Sequence, residues 1–331
     1  AVGQPPTTFE GQPESLTTVP DSGSNDAVPT TTLRLTAPTG ITAADLCAGV
    51  MLVEPTPQID TDLLPETSGV VYSRTVDGRM YAHNDSGNLP RLFGIGAGST
   101  VDAVWTVGTA LLDCEDIAVA GSTLYFADTG DNLHIRPTVR LIASREPDGS
   151  GATLDDLEFW SFTFAEGRLD TEAVMVDVDG AEAILITKGI DSPAGVYVLP
   201  LTDSSDALTL ERVAGFDIGE SISAADLSAD GRVIAVRTPT RVLLFDRPAT
   251  SSIAEALAGE PCEAASAPER QGEAIALHPD GRGYTTLSER ESATPVSYTH
   301  LRAHETREDL VCPRLREKKK GGGGGGGGGG G

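Results

Sequence analysis

Acidic side chains recur at the heads of short apolar segments in this chain: Glu66, Glu115, Glu172, Asp226 and Glu273. Carboxylate oxygens repeated in this way are hard ligands, and they suit a calcium ion better than a soft metal. Glu115, Glu172 and His83 are also the candidate catalytic bases, because a carboxylate or an imidazole can take a proton from water or a hydroxyl near neutral pH. Polar groups at the far ends of the same segments, Asn84, Asp85, Asp128, Asp131 and Asn132, are candidates for holding a ligand, and so are the bases Lys188 and Arg237. Those two bases either position an anionic substrate or pair directly with the acids, which would close the site to a metal. A purely structural reading stands beside each of these. The leading acids would accept backbone hydrogen bonds from a neighbouring unit and lock it, His83 would be a local hydrogen-bonder, and the Asp128–Asn132 cluster would form Asx-turns.

Familiar catalytic signatures are missing. The sequence contains no GxSxG elbow, no HExxH and no phosphate-binding P-loop. The glycines at 94, 96 and 98 imitate a dinucleotide loop, but a strand-like run follows them where that loop requires a helix. His134 and His278 form no zinc spacing with the cysteines.

The elements that must position these groups repeat with one grammar. An acid is followed by an apolar strand, a Gly turn, a second apolar strand and a polar cluster, in residues 66–87, 114–132, 172–189, 226–238 and 273–289. Asp-Gly pairs at 77–78, 179–180, 230–231 and 280–281 mark tight hairpins. Self-similar β-units at a period of roughly fifty residues predict an all-β propeller. Five blades are recognisable, six would fit if material at either end adds one, and the last blade reads as truncated. Residues 46–55 have the composition of an edge strand that closes the ring. Each blade begins with the strand that lines the channel, so the Asp-Gly turns define one face and the five leading acids converge on the other.

Residues 1–45, rich in Thr and Pro, read as a disordered linker, residues 46–296 as the propeller, and residues 297–331 as a foreign tail. The stretch SYTHLRAHET resembles translated sequencing adapter, and the Lys and Gly runs resemble translated homopolymer; a basic, Gly-rich native tail is the alternative. A net charge of −25 disfavours nucleic acid as a partner and favours cations. A Thr/Pro-rich acidic leader with no membrane-spanning run predicts a secreted or cell-surface monomer whose partner is a small-molecule or extracellular ligand. With Cys312 set aside in the tail, neighbouring first and last blades make a Cys47–Cys262 disulfide reasonable and leave Cys114 buried and unpaired; three free thiols are the alternative.

HNDSG, CEDIAV, ADTGDN, TEAVMVD, AADLSADGRVIAVRT and QGEAIALHPDG together resemble the successive motifs of an uncharacterised family of secreted bacterial β-propellers, over residues 66–296. The pattern is more distantly similar to esterase-like phytase and calcium-dependent lactonase propellers. That resemblance implies a metal at the channel mouth, although no catalytic set maps across, and Cys114 stands where the family usually has an aromatic residue. Two functions follow as expectations. One is a non-catalytic propeller whose acidic mouth binds a cation, ligand or partner. The alternative is a calcium-dependent hydrolase of phosphoesters, esters or lactones.

Overall fold

The computed structural model describes residues 40–59, 62–149, 151–189, 193–202, 207–269, 271–289 and 294–301. Most of the expected linker and tail therefore lies outside the described residues. The strands form five sheets, antiparallel except for one short parallel strand added to each of two. Blade 1 comprises Thr67–Tyr72, Met80–Asn84, Arg91–Ile95 and Val101–Val107. Blade 2 comprises Cys114–Ala120, Thr123–Asp128, Val139–Arg145 and Leu157–Phe164. Blade 3 comprises Thr171–Val176, Glu182–Thr187, Ala194–Pro200 and Arg212–Phe216. Blade 4 comprises Ala224–Leu227, Val233–Arg237, Val242–Asp246 and Cys262–Ala264.

Blade 5 draws on both ends of the described chain. Gly272–Leu277 and Gly283–Ser288 are followed by Val296–His300, and Met51–Pro55 pairs antiparallel to that third strand, Met51 opposite His300 and Pro55 opposite Val296. The closing-strand expectation for residues 46–55 is met in its second half, while Ala43–Ala48 forms a helix whose Thr42 and Asp45 make a capping box. Instead of stopping after two strands, the fifth blade reaches four. The boundary drawn between residues 296 and 297 falls inside its third strand.

The ring closes because alternation along each strand buries apolar side chains on both faces, and each blade packs both flanks against a neighbour. Blades 1 and 2 share Val71, Tyr81, Trp105, Ile117 and Phe126. Tyr125, Trp160, Phe162 and Tyr197 fill the seam between blades 2 and 3, and Met175, Ile184, Val236 and Phe245 fill the next. Blades 4 and 5 meet over Leu244, Ile275, Tyr284 and Tyr298, with Leu46 of the first helix added, and Val70, Phe93, Ala276 and Leu287 complete the circle. Two short strands tie blades from outside: Thr153–Leu154 runs parallel to the outer strand of blade 1, and Leu208–Leu210 parallel to that of blade 2. Residues 208–216 are thus shared between two blades, Leu208–Leu210 pairing in blade 2 and Arg212–Phe216 in blade 3.

The Asp-Gly turns take the left-handed backbone that glycine tolerates, with φ of 68° at Gly78, 70° at Gly180, 71° at Gly231 and 69° at Gly281. Cys47 and Cys262 form a disulfide, Cα atoms 6.1 Å apart, fastening the first helix to the outer strand of blade 4, and Cys114 is a buried free thiol.

Candidate functional site: an acidic channel mouth

Four of the five inner strands start with the same irregularity. Pairing slips between Thr67 and Gly69, Cys114 and Asp116, Thr171 and Ala173, and Gly272 and Ala274. The bulged residues are Ser68, Glu115, Glu172 and Glu273. A bulge leaves one residue outside the ladder and re-aims its side chain, which is why such features gather at the rims of sheets. Glu66 is two residues out of phase. Its carbonyl accepts from Asp85 N–H as those of Asp113, Asp170 and Gln271 accept from Gly130, Lys188 and Glu289. Ser68 therefore occupies the place that Glu115 holds in blade 2, and the Glu66 carboxylate instead receives the Asn88 amide at 3.1 Å.

Glu115 gathers acids from three blades. One carboxylate oxygen each from Asp85, Asp113 and Glu115 lie within 4.8 Å of one another, and so do oxygens from Glu115, Asp170 and Glu172. Gly130 permits this approach, because a Cβ there would collide with Glu115 and Asp113. Asp113 and Asp170 are site residues that the reading of leading acids overlooks. Their signal is the spacing Asp113-Cys-Glu115 and Asp170-Thr-Glu172, repeated with an amide as Gln271-Gly-Glu273.

The two groups of acids differ in counter-charge. Lys188 Nζ contacts Glu172 Oε1, lies 3.4 Å from Asp170 Oδ2 and donates to Asn132 Oδ1 at 3.2 Å. Burial works against the Lys188 charge, yet Glu172, Asp170 and Glu115 hold its pKa above the ordinary range, so it stays an ammonium. Glu115 is only 6% exposed; its carbonyl accepts from Ser68 Oγ at 2.6 Å, but its carboxylate receives no hydrogen bond or ion pair among the described residues. Burial, then Glu172, Asp85, Asp113 and Asp170, push its carboxyl up to about 11. Asp113 is raised by burial and by Asp85, and Glu273 by burial against a 2.8 Å hydrogen bond from Gln271.

Other expected members stand elsewhere. Asp226 lies deeper, pairing opposite Ala235, and its carboxylate accepts from Leu227 N–H at 2.8 Å and Leu277 N–H at 2.7 Å. Burial raises it to about 6. Asp116, 1% exposed, accepts from Ile117 (2.9 Å), Val174 (3.0 Å) and Ala225 (3.2 Å). A lock between blades is made by Asp116, which grips backbone donors of blades 3 and 4, and by Asp226, which grips one of blade 5. Arg237 is not at the mouth either: it is 0% exposed, packs over Gly272, and pairs with Glu269 at 2.8 Å and with Ser266 Oγ at 3.0 Å.

His83 is 0% exposed, with Nδ1 3.1 Å from Asn84 O and the ring edge-on to Phe126. Burial lowers its pKa, and a Cβ on Gly69 would lie 2.5 Å from its Nε2. It is sealed against a substrate. Asn84 donates to Leu63 O at 2.9 Å and accepts from Glu66 N–H at 3.3 Å. Asp128 is paired with Arg136 at 3.0 Å and Arg140 at 2.8 Å, and Asp131 caps Ile135 N–H at 2.8 Å. Of the seven proposed ligand-holding residues, Asp85, Asn132 and Lys188 are brought to the mouth.

These sheets define a five-bladed β-propeller. No protein-family model matches the chain, and no curated protein matches it. Among solved structures, the chain is similar to the β-propeller domain of Cps50 (Swd1) from Myceliophteria thermophila, with 9% sequence identity, 71% of this chain and 83% of that chain covered, and a TM-score of 0.41.

Proposed function

We propose that this chain is an exported propeller whose channel mouth holds a hard divalent cation, calcium by preference, between Asp85, Asp113 and Glu115. The observation that carries this reading is Glu115: a carboxylate buried among four others with no protein donor. Such a group either keeps a proton far above its normal range or gains a cation. Three carboxylate oxygens, all hard, with water completing the shell, suit calcium's need for oxygen ligands. Lys188 already neutralises the Asp170–Glu172 side, which leaves the Asp85–Asp113 side for the ion. Export is supported by the Cys47–Cys262 disulfide, since such bonds persist in oxidising compartments. No helix among the described residues is long and apolar enough to cross a membrane. The motif resemblance to secreted bacterial propellers agrees with both parts of this reading.

Support for the hydrolytic alternative is narrower. With His83 sealed and Arg237 paired, Glu115 would be the base, Lys188 would position the anion, and the metal would polarise a phosphoester, ester or lactone oxygen.

Calcium titration of the full chain tests the proposal. We expect the melting temperature of chelator-treated protein to rise with calcium, by about 2.7 kcal/mol of stabilisation at a hundredfold excess over Kd, and Glu115→Gln to abolish the response. A melting curve indifferent to calcium and chelator would overturn it.

A further inference from the structure

The face that carries the acids also carries the most exposed apolar side chains. Leu89 is 64% exposed, Leu112 62%, Leu133 76% and Ile135 63%; apart from Val50, no other large apolar side chain among the described residues is so open to solvent. All four stand on loops at the mouth end of the strands. Leu89 lies between the second and third strands of blade 1, Leu112 between blades 1 and 2, and Leu133 and Ile135 between the second and third strands of blade 2. Among the described residues, the corresponding loops of blades 3 and 4 expose no large apolar side chain. Single exposed leucines are ordinary, but four on adjoining loops form the kind of patch that marks an interaction surface.

Hydrogen bonds tie these loops together. Pro90 O accepts from Val107 N–H at 2.8 Å, which sets Leu89 beside the start of the loop that carries Leu112. Asp128 Oδ1 accepts from Leu112 N–H at 3.1 Å and from Arg136 Nη2 at 3.0 Å, which joins that loop to the next. Arg136 also donates to Gly130 O at 2.7 Å, and Asp131 caps Ile135 N–H at 2.8 Å, so the tip that holds Leu133 and Ile135 is braced. Apolar side chains on a braced backbone lose little further freedom when a partner covers them.

Charge decides which partner fits. Leu112 adjoins Asp113, and Leu89 shares its loop with Asp85. The nearby bases are otherwise engaged: Arg136 and Arg140 pair with Asp128, and Lys188 with Asp170 and Glu172. Arg91 and Arg168 also border the patch, the latter donating to His134 O at 3.2 Å, but neither pairs with Asp85 or Asp113. We propose that this patch docks a segment of another protein in which a lysine or arginine is flanked by aliphatic side chains. The aliphatic groups cover Leu89, Leu112, Leu133 and Ile135, and the basic group points to Asp85 and Asp113. Complementary charge next to an apolar contact fixes the register of such a segment, and the long stem of a basic side chain is itself apolar. A second copy of this chain, with its own net charge of −25, and an anionic membrane are both repelled by this face.

The inference does not rest on the cation reading, and chelator separates the two. Random peptides displayed on phage are selected on the full chain in chelator, and the affinity of an enriched peptide is then measured by calorimetry. We expect enrichment of peptides that place Lys or Arg beside Leu, Ile or Val. Replacing the basic residue by Glu, or introducing Leu133→Ser with Ile135→Ser into the protein, should each weaken binding at least about tenfold. Both substitutions fall at solvent-exposed side chains, so the fold is preserved. Calcium should weaken the same peptide only if the ion occupies the mouth, whereas binding in chelator is expected in either case. Failure to enrich such peptides, equal binding of the Glu peptide, or undiminished binding by the double variant would each overturn the proposal. So would sedimentation showing a dimer that the double variant loses, because the patch would then belong to a second copy.

Discussion

The Asp116 carboxylate of blade 2 reaches Ala225 N–H of blade 4, 3.2 Å away and two blades on, with the same oxygen that accepts from Val174 N–H of blade 3. One side chain therefore binds three inner strands. Asp116→Ala leaves buried donors unsatisfied, so we expect a loss of about 2–4 kcal/mol in urea unfolding, with calcium affinity unchanged. An unaltered unfolding midpoint would show that Asp116 holds nothing together.

Stability should respond to pH through Glu115. Its folded-state value of about 11 lies far above the ordinary carboxylate value, so the folded chain holds a proton that the unfolded chain releases. The contribution of this group is full in acid below about pH 4.3, and it is lost as the pH rises from there toward about 11. Glu115→Gln removes that loss. The variant should therefore melt a few degrees above the parent at pH 8 in chelator, and the order should reverse in saturating calcium. His83 and His278 act in the opposite sense, since burial lowers both and their contribution disappears as the pH falls. The informative quantity is thus the parent-minus-variant difference across pH; a difference that stays constant contradicts this account.

Arg237 and Glu269 are a structural pair, and Thr286 and Ser288 also donate to Glu269. Removing one partner of a buried pair strands the other, so Arg237→Leu should cost about 3–5 kcal/mol. Joint replacement of Arg237 and Glu269 by Leu should recover part of that. Calcium titration should be the same in both variants as in the parent, and a shifted Kd would return Arg237 to the site.

The disulfide closes a span of 215 residues between the first helix and blade 4. Its removal, by reductant or by replacing Cys47 and Cys262 with Ser, should lower stability by about 2–5 kcal/mol. Guanidinium unfolding with and without dithiothreitol reads this directly, and coincident curves would mean that the helix docks without its covalent tie.

Blade order, hairpin turns and the second half of the closing strand are legible because each depends on periodicity or on turn chemistry, whereas the Cys47–Cys262 pairing stays open in the sequence and joins the first helix to blade 4 rather than the first blade to the last. The site was half legible. Asp-Gly turns announce where a hairpin reverses, but nothing in CEDIAV announces that pairing slips by one residue between Cys114 and Asp116. That slip decides which of two adjacent acids meets the mouth and which grips other blades. Asp226 matches Glu115 in sequence because it too leads an apolar run, yet the inner strand of blade 4 has no register shift and Asp226 sits inside the ladder opposite Ala235. Arg237 ends a second strand much as Lys188 follows one, but only the three-dimensional neighbour Glu269 distinguishes them.

The composite fifth blade also sets a timetable. Met51–Pro55 is synthesised before any of blade 1, whereas its partner Val296–His300 emerges after every other strand of the ring. Blades 1 to 4 can form as hairpins while the chain is still growing, but Val70, Phe93 and Ile95 on the first flank wait for Ala274, Ala276 and Leu287 from the last. Until those arrive the nascent molecule is an open arc with an apolar flank at either end and an unpaired early strand. Aggregation and intermolecular strand exchange compete with closure over that interval.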